Sequence, residues 1–312
     1  MKNQFNRREA LQTLGLGLPM ALMAGSLPRA ALAAQATAVA SKFLEVNGVK
    51  LHYLEWGAKN SNSLLLLHPA PLNAQVWNAF GPAMASHYRV VAPDVRGFGD
   101  SQWSDVYSDD AFVEDVRAVV TTLGLKRPIL CGNSMGGTLA YFYASLYPQD
   151  VDRLILIDTG PGEKPPEPGA PAGARTGGPP AVAAGPFTSA EEAAARVPAV
   201  FGPAFVKAMV QYNLKQGADG QWRWKYDPAV IAAGERSMRD PRKWPRWNAV
   251  RCPTLVLRGE RSPALPQRIA EQMISENKNA SLVVVPNAGH FIPIEQPAAF
   301  EAAIRTWLGV PG

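Results

Sequence analysis

Cysteine is scarce in this chain: 312 residues contain two, Cys131 and Cys252. That excludes a disulfide-stapled scaffold, and a chain of this length with 47 % hydrophobic residues can bury a large core without staples or a structural metal. Histidine is almost as rare. His52, His68, His87 and His290 are scattered and, with two distant cysteines, show no metal-ligand spacing, so neither metal catalysis nor a cofactor is expected. One-sided charge is lacking too. Of the net +5, three charges fall in the first 34 residues (Lys2, Arg7, Arg8 and Arg29 against Glu9), leaving +2 and no basic stripe interleaved with aromatics, which argues against a nucleic-acid partner. No segment beyond that region reaches the roughly 20 apolar residues that span a bilayer, so stable membrane insertion of the mature chain is not expected. No internal repeat is evident.

Residues 1–34 read as an export signal peptide. A basic start is followed by the broken apolar run Leu11 to Leu27 and then by Ala31-Leu32-Ala33, a small-x-small cleavage pattern. Asn6-Arg7-Arg8-Glu9-Ala10-Leu11 is twin-arginine-like, with Ala10 in place of the usual aromatic; a general secretory signal with two chance arginines is the alternative. No cysteine lies near the cleavage site, which disfavours a lipoprotein. The expected location is periplasmic or secreted.

Strands and helices then alternate as a mostly parallel sheet covered on both faces requires. Phe43 to Val46 and Val49 to Trp56 flank Asn47-Gly48, a two-residue hairpin signal. The pattern continues with strand Leu64 to Leu67, helix Val76 to Ala85, strand Arg89 to Ala92, helix Ala111 to Leu123, strand Ile129 to Cys131, helix Thr138 to Tyr147 and strand Arg153 to Ile157. After an interruption it resumes with strand Thr254 to Leu257, helix Pro266 to Ile274, strand Ser281 to Val285 and helix Pro297 to Leu308. The expected fold is α/β with one mixed eight-stranded sheet, its core divided into residues 42–159 and 249–310. Residues 160–248 form an inserted, mainly helical cap that opens on the proline- and glycine-rich run Pro161 to Pro186 and continues with helices Ala190 to Ala195 and Ala204 to Gln216. Trp222, Trp224, Trp244 and Trp247 fall there, either lining a substrate cavity or packing the cap. Cys131 and Cys252 are expected toward opposite edges of the sheet, both as free thiols.

Chemistry concentrates in Gly132-Asn133-Ser134-Met135-Gly136, between a predicted strand and a predicted helix. A strand turning sharply into a helix strains the residue at the bend and crowds its neighbours, so glycines at 132 and 136 mark Ser134 as a nucleophile beside the positive end of a helix. A serine needs a base. His290 alone among the histidines lies in a loop just after the last strand, and a parallel sheet carries its site at the carboxyl ends of its strands.

With these segments, Leu67-His68-Pro69-Ala70-Pro71 and Asp94-Val95-Arg96-Gly97-Phe98-Gly99-Asp100-Ser101, the chain resembles the α/β-hydrolase superfamily, in its cap-bearing esterase and epoxide-hydrolase-like branch, from about Phe43 to Leu308. The resemblance implies an oxyanion hole from the backbone N–H groups of Ala70 and Met135, with Pro69 standing where the family usually has glycine. It implies bracing of the site by Asp94 and Arg96. Relatives usually carry the orienting acid three or four residues past a glycine after the penultimate strand, but Gly259 is followed by Glu260-Arg261-Ser262-Pro263. Asp158, at the end of the strand that follows the nucleophile helix, is the alternative acid; Glu260, or a Ser–His dyad with no side-chain acid, are the others. Haloalkane dehalogenases and epoxide hydrolases of this fold use a carboxylate nucleophile, so Ser134 argues against both. The expected activity is hydrolysis of a small or medium apolar carboxylic ester or lactone, with cofactor-free haloperoxidase-like chemistry, carbon–carbon bond hydrolysis, or a weakly catalytic sensor role as alternatives.

Overall fold

A computed structural model describes residues 38–164 and 182–311. The leader and most of the proline-rich run lie outside the described residues. Eight strands form one sheet: β1 (Ala40–Val46), β2 (Val49–Trp56), β3 (Ser63–Leu67), β4 (Arg89–Pro93), β5 (Ile129–Asn133), β6 (Arg153–Ile157), β9 (Thr254–Gly259) and β10 (Ala280–Val285). A separate small hairpin supplies β7 (Leu214–Gln216) and β8 (Trp222–Trp224). The large sheet runs in the order β1-β2-β4-β3-β5-β6-β9-β10, antiparallel at β1/β2 and β2/β4 and parallel elsewhere.

Local chemistry accounts for much of this. Asn47 and Gly48 both take positive φ, 49° and 75°, the turn whose twist matches that of the flanking strands. The β3 run of four leucines is wholly buried, as befits a strand covered on both faces. The helix Asp109–Thr122 begins where Ser108 accepts a hydrogen bond from Ala111 N–H, with Asp109 and Asp110 in its first turn. Expectation fails between β3 and β4. Instead of one helix from 76 to 85 there is a 3-10 turn, Ala74–Trp77, and a short helix, Phe80–Met84. Pro82 has no N–H to donate and crowds the carbonyl four residues back, so a continuous helix cannot pass through it.

The cysteines need a correction as well. Cys131 lies on β5 and Cys252 just before β9, so one strand, β6, separates them rather than the breadth of the sheet. Both are buried free thiols, and burial pushes both above the ordinary thiol range, Cys252 to about 11.

Between β6 and β9 the chain forms helices Ala190–Ala195, Gly202–Asn213, Pro228–Ser237 and Lys243–Ala249 around the β7–β8 hairpin. Leu214–Gln216, expected to continue a helix, is strand. Trp224, Trp244 and Trp247 are buried in packing, each with its indole N–H on a backbone carbonyl (Ala183, Gly162 and Met273). Trp247 packs edge-on against Tyr141 of the helix Met135–Leu146, so the last part of the insertion belongs to the core's own packing.

Candidate active site

Five neighbouring strands, β3, β5, β6, β9 and β10, deliver Ala70, Ser134, Asp158, Ser262 and His290 in that order across the carboxyl edge of the sheet. Ser134 follows β5 with φ 53° and ψ −117°, a sparsely populated combination for a residue with a side chain. Close contacts hold it there. Ser134 N–H donates to Ile157 O at 3.1 Å, and its own carbonyl accepts Thr138 N–H at 3.0 Å. A Cβ at Gly132 would come 2.3 Å from Gly136 O, and one at Gly136 would come 2.2 Å from Leu67 O and 2.8 Å from His68 O. Those glycines therefore let the end of β3 close over the first turn of the helix, with Leu67 and His68 against Gly136.

His290 Nδ1 lies 2.7 Å from Asp158 Oδ2. The carboxylate is fully buried and the imidazole 22 % exposed. Asp158 also accepts Gly259 N–H on Oδ1 at 2.9 Å and the Ser262 hydroxyl on Oδ2 at 2.5 Å. An acceptor there requires the His290 proton on Nδ1, which leaves Nε2 as the basic nitrogen. Ser262, one of the two positions where relatives would carry the acid, thus reaches the same oxygen from the other side. Glu260 does something else: it accepts Asn287 N–H at 2.9 Å, at the start of the loop that carries His290.

Two further residues shape this loop without any signal in the pattern around it. Glu295 accepts both Gly289 N–H, at 2.6 Å, and Phe291 N–H, at 2.8 Å, clamping the residues on either side of His290. Asn133, beside the nucleophile, donates to Ile157 O at 2.8 Å and His290 O at 3.2 Å. Among the described residues Ser134 Oγ makes no hydrogen bond, and Ser134 and His290 are both partly exposed at the surface of the site.

Asp94 anchors the floor. It accepts Ala74 N–H at 2.7 Å and Asp100 N–H at 2.8 Å, and lies 2.8 Å from His52 Nδ1. Burial alone would raise its pKa, but the His52 hydrogen bond, the His68 and His52 imidazoles and the Asp100 N–H outweigh it and hold the carboxyl below the usual range. Arg96 makes a two-pronged bond to Asp115 at 2.5 and 2.6 Å. His68 is fully buried, and burial holds its pKa below the ordinary imidazole value. A second row, Ser41–His52–Asp94, has hydrogen bonds of 2.9 and 2.8 Å, but Ser41 sits within a strand with no helix N-terminus behind it. Among the described residues His52, Asp94 and Asp100 form the single three-ligand grouping; there His52 and Asp94 already share a hydrogen bond and Asp100 binds Lys225 Nζ at 2.5 Å.

Comparison with known proteins agrees with this architecture. The sequence profile described as "Alpha/beta hydrolase family" matches residues 64–303. The 3-hydroxybutyrate-oligomer hydrolase of Cupriavidus necator is 30 % identical over 284 residues, 83 % of this chain and 93 % of that protein. The soluble epoxide hydrolase of a Corynebacterium species is 35 % identical over 118 residues, a local match to 38 % of this chain and 41 % of that protein. Among solved structures, E-2-(acetamidomethylene)succinate hydrolase superposes with a TM-score of 0.74 at 20 % identity, covering 88 % of this chain and 100 % of that one. A thermophilic esterase from Thermogutta terrifontis superposes with 0.64 at 27 % identity, over 87 % and 98 %. From the ordered strand ends, the bend at residue 134 and this breadth of match, the chain belongs to the alpha/beta hydrolase family.

Proposed function

We propose that this protein is an exported serine esterase that cleaves small or medium apolar carboxylic esters and lactones through an acyl-enzyme on Ser134. The observation that carries the reading is the 2.7 Å Asp158–His290 contact beside the Ser134 bend. His290 Nε2 removes the Ser134 proton as Oγ attacks the ester carbonyl. The carbonyl oxygen becomes an oxyanion held by the Ala70 and Met135 N–H groups, with the positive end of the helix Met135–Leu146 behind them. Collapse breaks the ester bond, and His290 returns the proton to the leaving alcohol. Water, deprotonated by the same imidazole, then releases the acid and restores Ser134. Asp158 holds the tautomer and stabilises the imidazolium, and the insertion after β6 covers the site as a cap. The leader in residues 1–34 sends the enzyme to the periplasm or the medium.

Within the ester class, similarity to a protein named 3-hydroxybutyrate-oligomer hydrolase favours short oligoesters of hydroxy acids. The test is a panel of p-nitrophenyl esters of graded acyl length together with 3-hydroxybutyrate oligomers, each run beside Ser134→Ala. Turnover that vanishes in the variant supports the proposal. Turnover of no ester, or activity retained by Ser134→Ala, overturns it.

A further inference from the structure

The oxyanion loop is short of donors, because Pro69 and Pro71 flank Ala70 and neither has an N–H. Its carbonyls are what the rest of the protein holds. Val95 N–H donates to His68 Nε2 at 2.9 Å, which puts the ring proton on Nδ1, and Nδ1 lies 3.1 Å from Pro69 O. The C=O and N–H of one trans peptide point in opposite directions, so fixing Pro69 O aims the Ala70 N–H the other way. This grip comes from the core.

The grip on the far side of Ala70 comes from the insertion. Asn213, fully buried at the end of the helix Gly202–Asn213, donates from Nδ2 to Pro71 O at 2.6 Å. Its amide orientation follows from backbone groups that have one role each. Asn73 accepts Gln75 N–H on Oδ1 at 3.0 Å and donates from Nδ2 to Tyr212 O at 2.9 Å. The Asn73 Nδ2 group also donates to Asn213 Oδ1, so only the NH₂ of Asn213 can face Pro71. The same helix reaches the other arm of the site: Phe205 stacks on Phe291, ring centroids 4.3 Å apart, directly after His290.

We infer that Asn213 is a positioning residue for the oxyanion hole, acting from the insertion through the Pro71 carbonyl to fix the Ala70 N–H. The inference rests on the esterase reading above. It predicts that the oxyanion hole is complete only while this helix is seated, so that the insertion contributes to the chemical step as well as to substrate selection. Replacing Asn213 leaves the Ala70 donor present but gripped on the core side alone. The expected loss in kcat is about 10- to 100-fold, less than the roughly 10²- to 10³-fold cost of deleting an oxyanion donor outright.

The experiment compares parent, Asn213→Leu and Asn213→Asp. Aspartate keeps the shape of Asn213 and, in its ionised form at pH 9, cannot donate to Pro71 O. Active sites are first counted by fluorophosphonate labelling of Ser134, and kcat, KM, melting temperature and inhibition by an arylboronic acid are then measured per labelled site. The boronate forms a tetrahedral adduct on Ser134 with one oxygen in the oxyanion hole. Support is a 10- to 100-fold fall in kcat for both Asn213 variants, KM within about threefold, and boronate affinity weakened in parallel. If Asn213→Leu does not fold, Asn213→Asp decides alone. Labelled Asn213 variants with parental kcat and boronate affinity overturn the inference, as does a fall in kcat with boronate affinity unchanged. An unlabelled parent instead overturns the esterase reading on which the inference stands.

Discussion

Replacing Asp158 with asparagine should cost more than its near-identical shape suggests. The carboxylate presents Oδ2 to two donors, the His290 ring and the Ser262 hydroxyl, and Oδ1 to Gly259 N–H. An asparagine has one oxygen. If its NH₂ takes the Oδ1 place it meets the Gly259 N–H, donor against donor, inside a fully buried pocket. Keeping its oxygen on Gly259 puts the NH₂ toward His290 Nδ1, which must then accept, and the ring proton moves to Nε2. Ser262 can rotate its hydroxyl to accept; the backbone amide cannot turn. The second orientation therefore prevails and leaves His290 unable to take the Ser134 proton. The kcat for p-nitrophenyl ester hydrolysis should fall by about 10³- to 10⁴-fold, equivalent to about 4–5.5 kcal/mol, with a folded protein by circular dichroism. Because Ser262 Oγ and His290 Nδ1 meet the same oxygen, at 2.5 and 2.7 Å, an acid at position 262 should partly replace it. The double variant Asp158→Ala, Ser262→Asp should recover at least about tenfold over Asp158→Ala alone. Activity of Asp158→Asn within threefold of the parent would refute the reasoning and leave a Ser–His dyad.

Two other outcomes follow from particular contacts. A Cβ at Gly136 meets the Leu67 carbonyl at 2.2 Å, backbone that cannot yield, so Gly136→Ala should lose about 1–3 kcal/mol in urea unfolding and lower kcat by displacing the Ala70 loop; Gly137→Ala, whose nearest neighbour is the Thr159 methyl at 2.2 Å but which also approaches Gly132 O at 2.8 Å, should lower kcat less. Asp94 has a folded pKa below its ordinary 3.8, so its contribution is whole above that value and fades as pH falls through the lowered one. The parent should exceed Asp94→Asn by about 3 kcal/mol at pH 7, with the gap closing only below about pH 3.8; a gap that closes near neutrality would contradict this.

The sheet was legible because its central strands are continuous apolar runs, such as Leu64 to Leu67 and Leu154 to Ile157, that no surface element tolerates. The bend at Ser134 was legible for a local reason, its glycines. Less was readable in the insertion. The helix Pro228–Ser237 went unrecognised although Asp227, whose side chain accepts Ala229 N–H, and Pro228 at its first position form a start signal. Glu295, Asn133 and Asn213 could not be read at all, because each acts on backbone distant in sequence or on a loop whose shape only the fold defines. The acid is intermediate: the sequence offered Asp158, Glu260 or no side-chain acid, and only the fold brings Asp158 to the His290 ring and Glu260 to the Asn287 N–H.

On the proposed assignment, the order of the parts along the chain has a practical consequence. Ala70, Ser134, Met135 and Asp158 all precede the insertion, and His290 alone follows it. A backbone break placed between Lys164 and Val182 would leave one polypeptide with the nucleophile, the oxyanion donors and the acid, and the other with the base and its supports Ser262, Glu295 and Asn213. Neither piece could turn over substrate by itself, so ester cleavage on mixing would serve as a direct reporter of their reassembly.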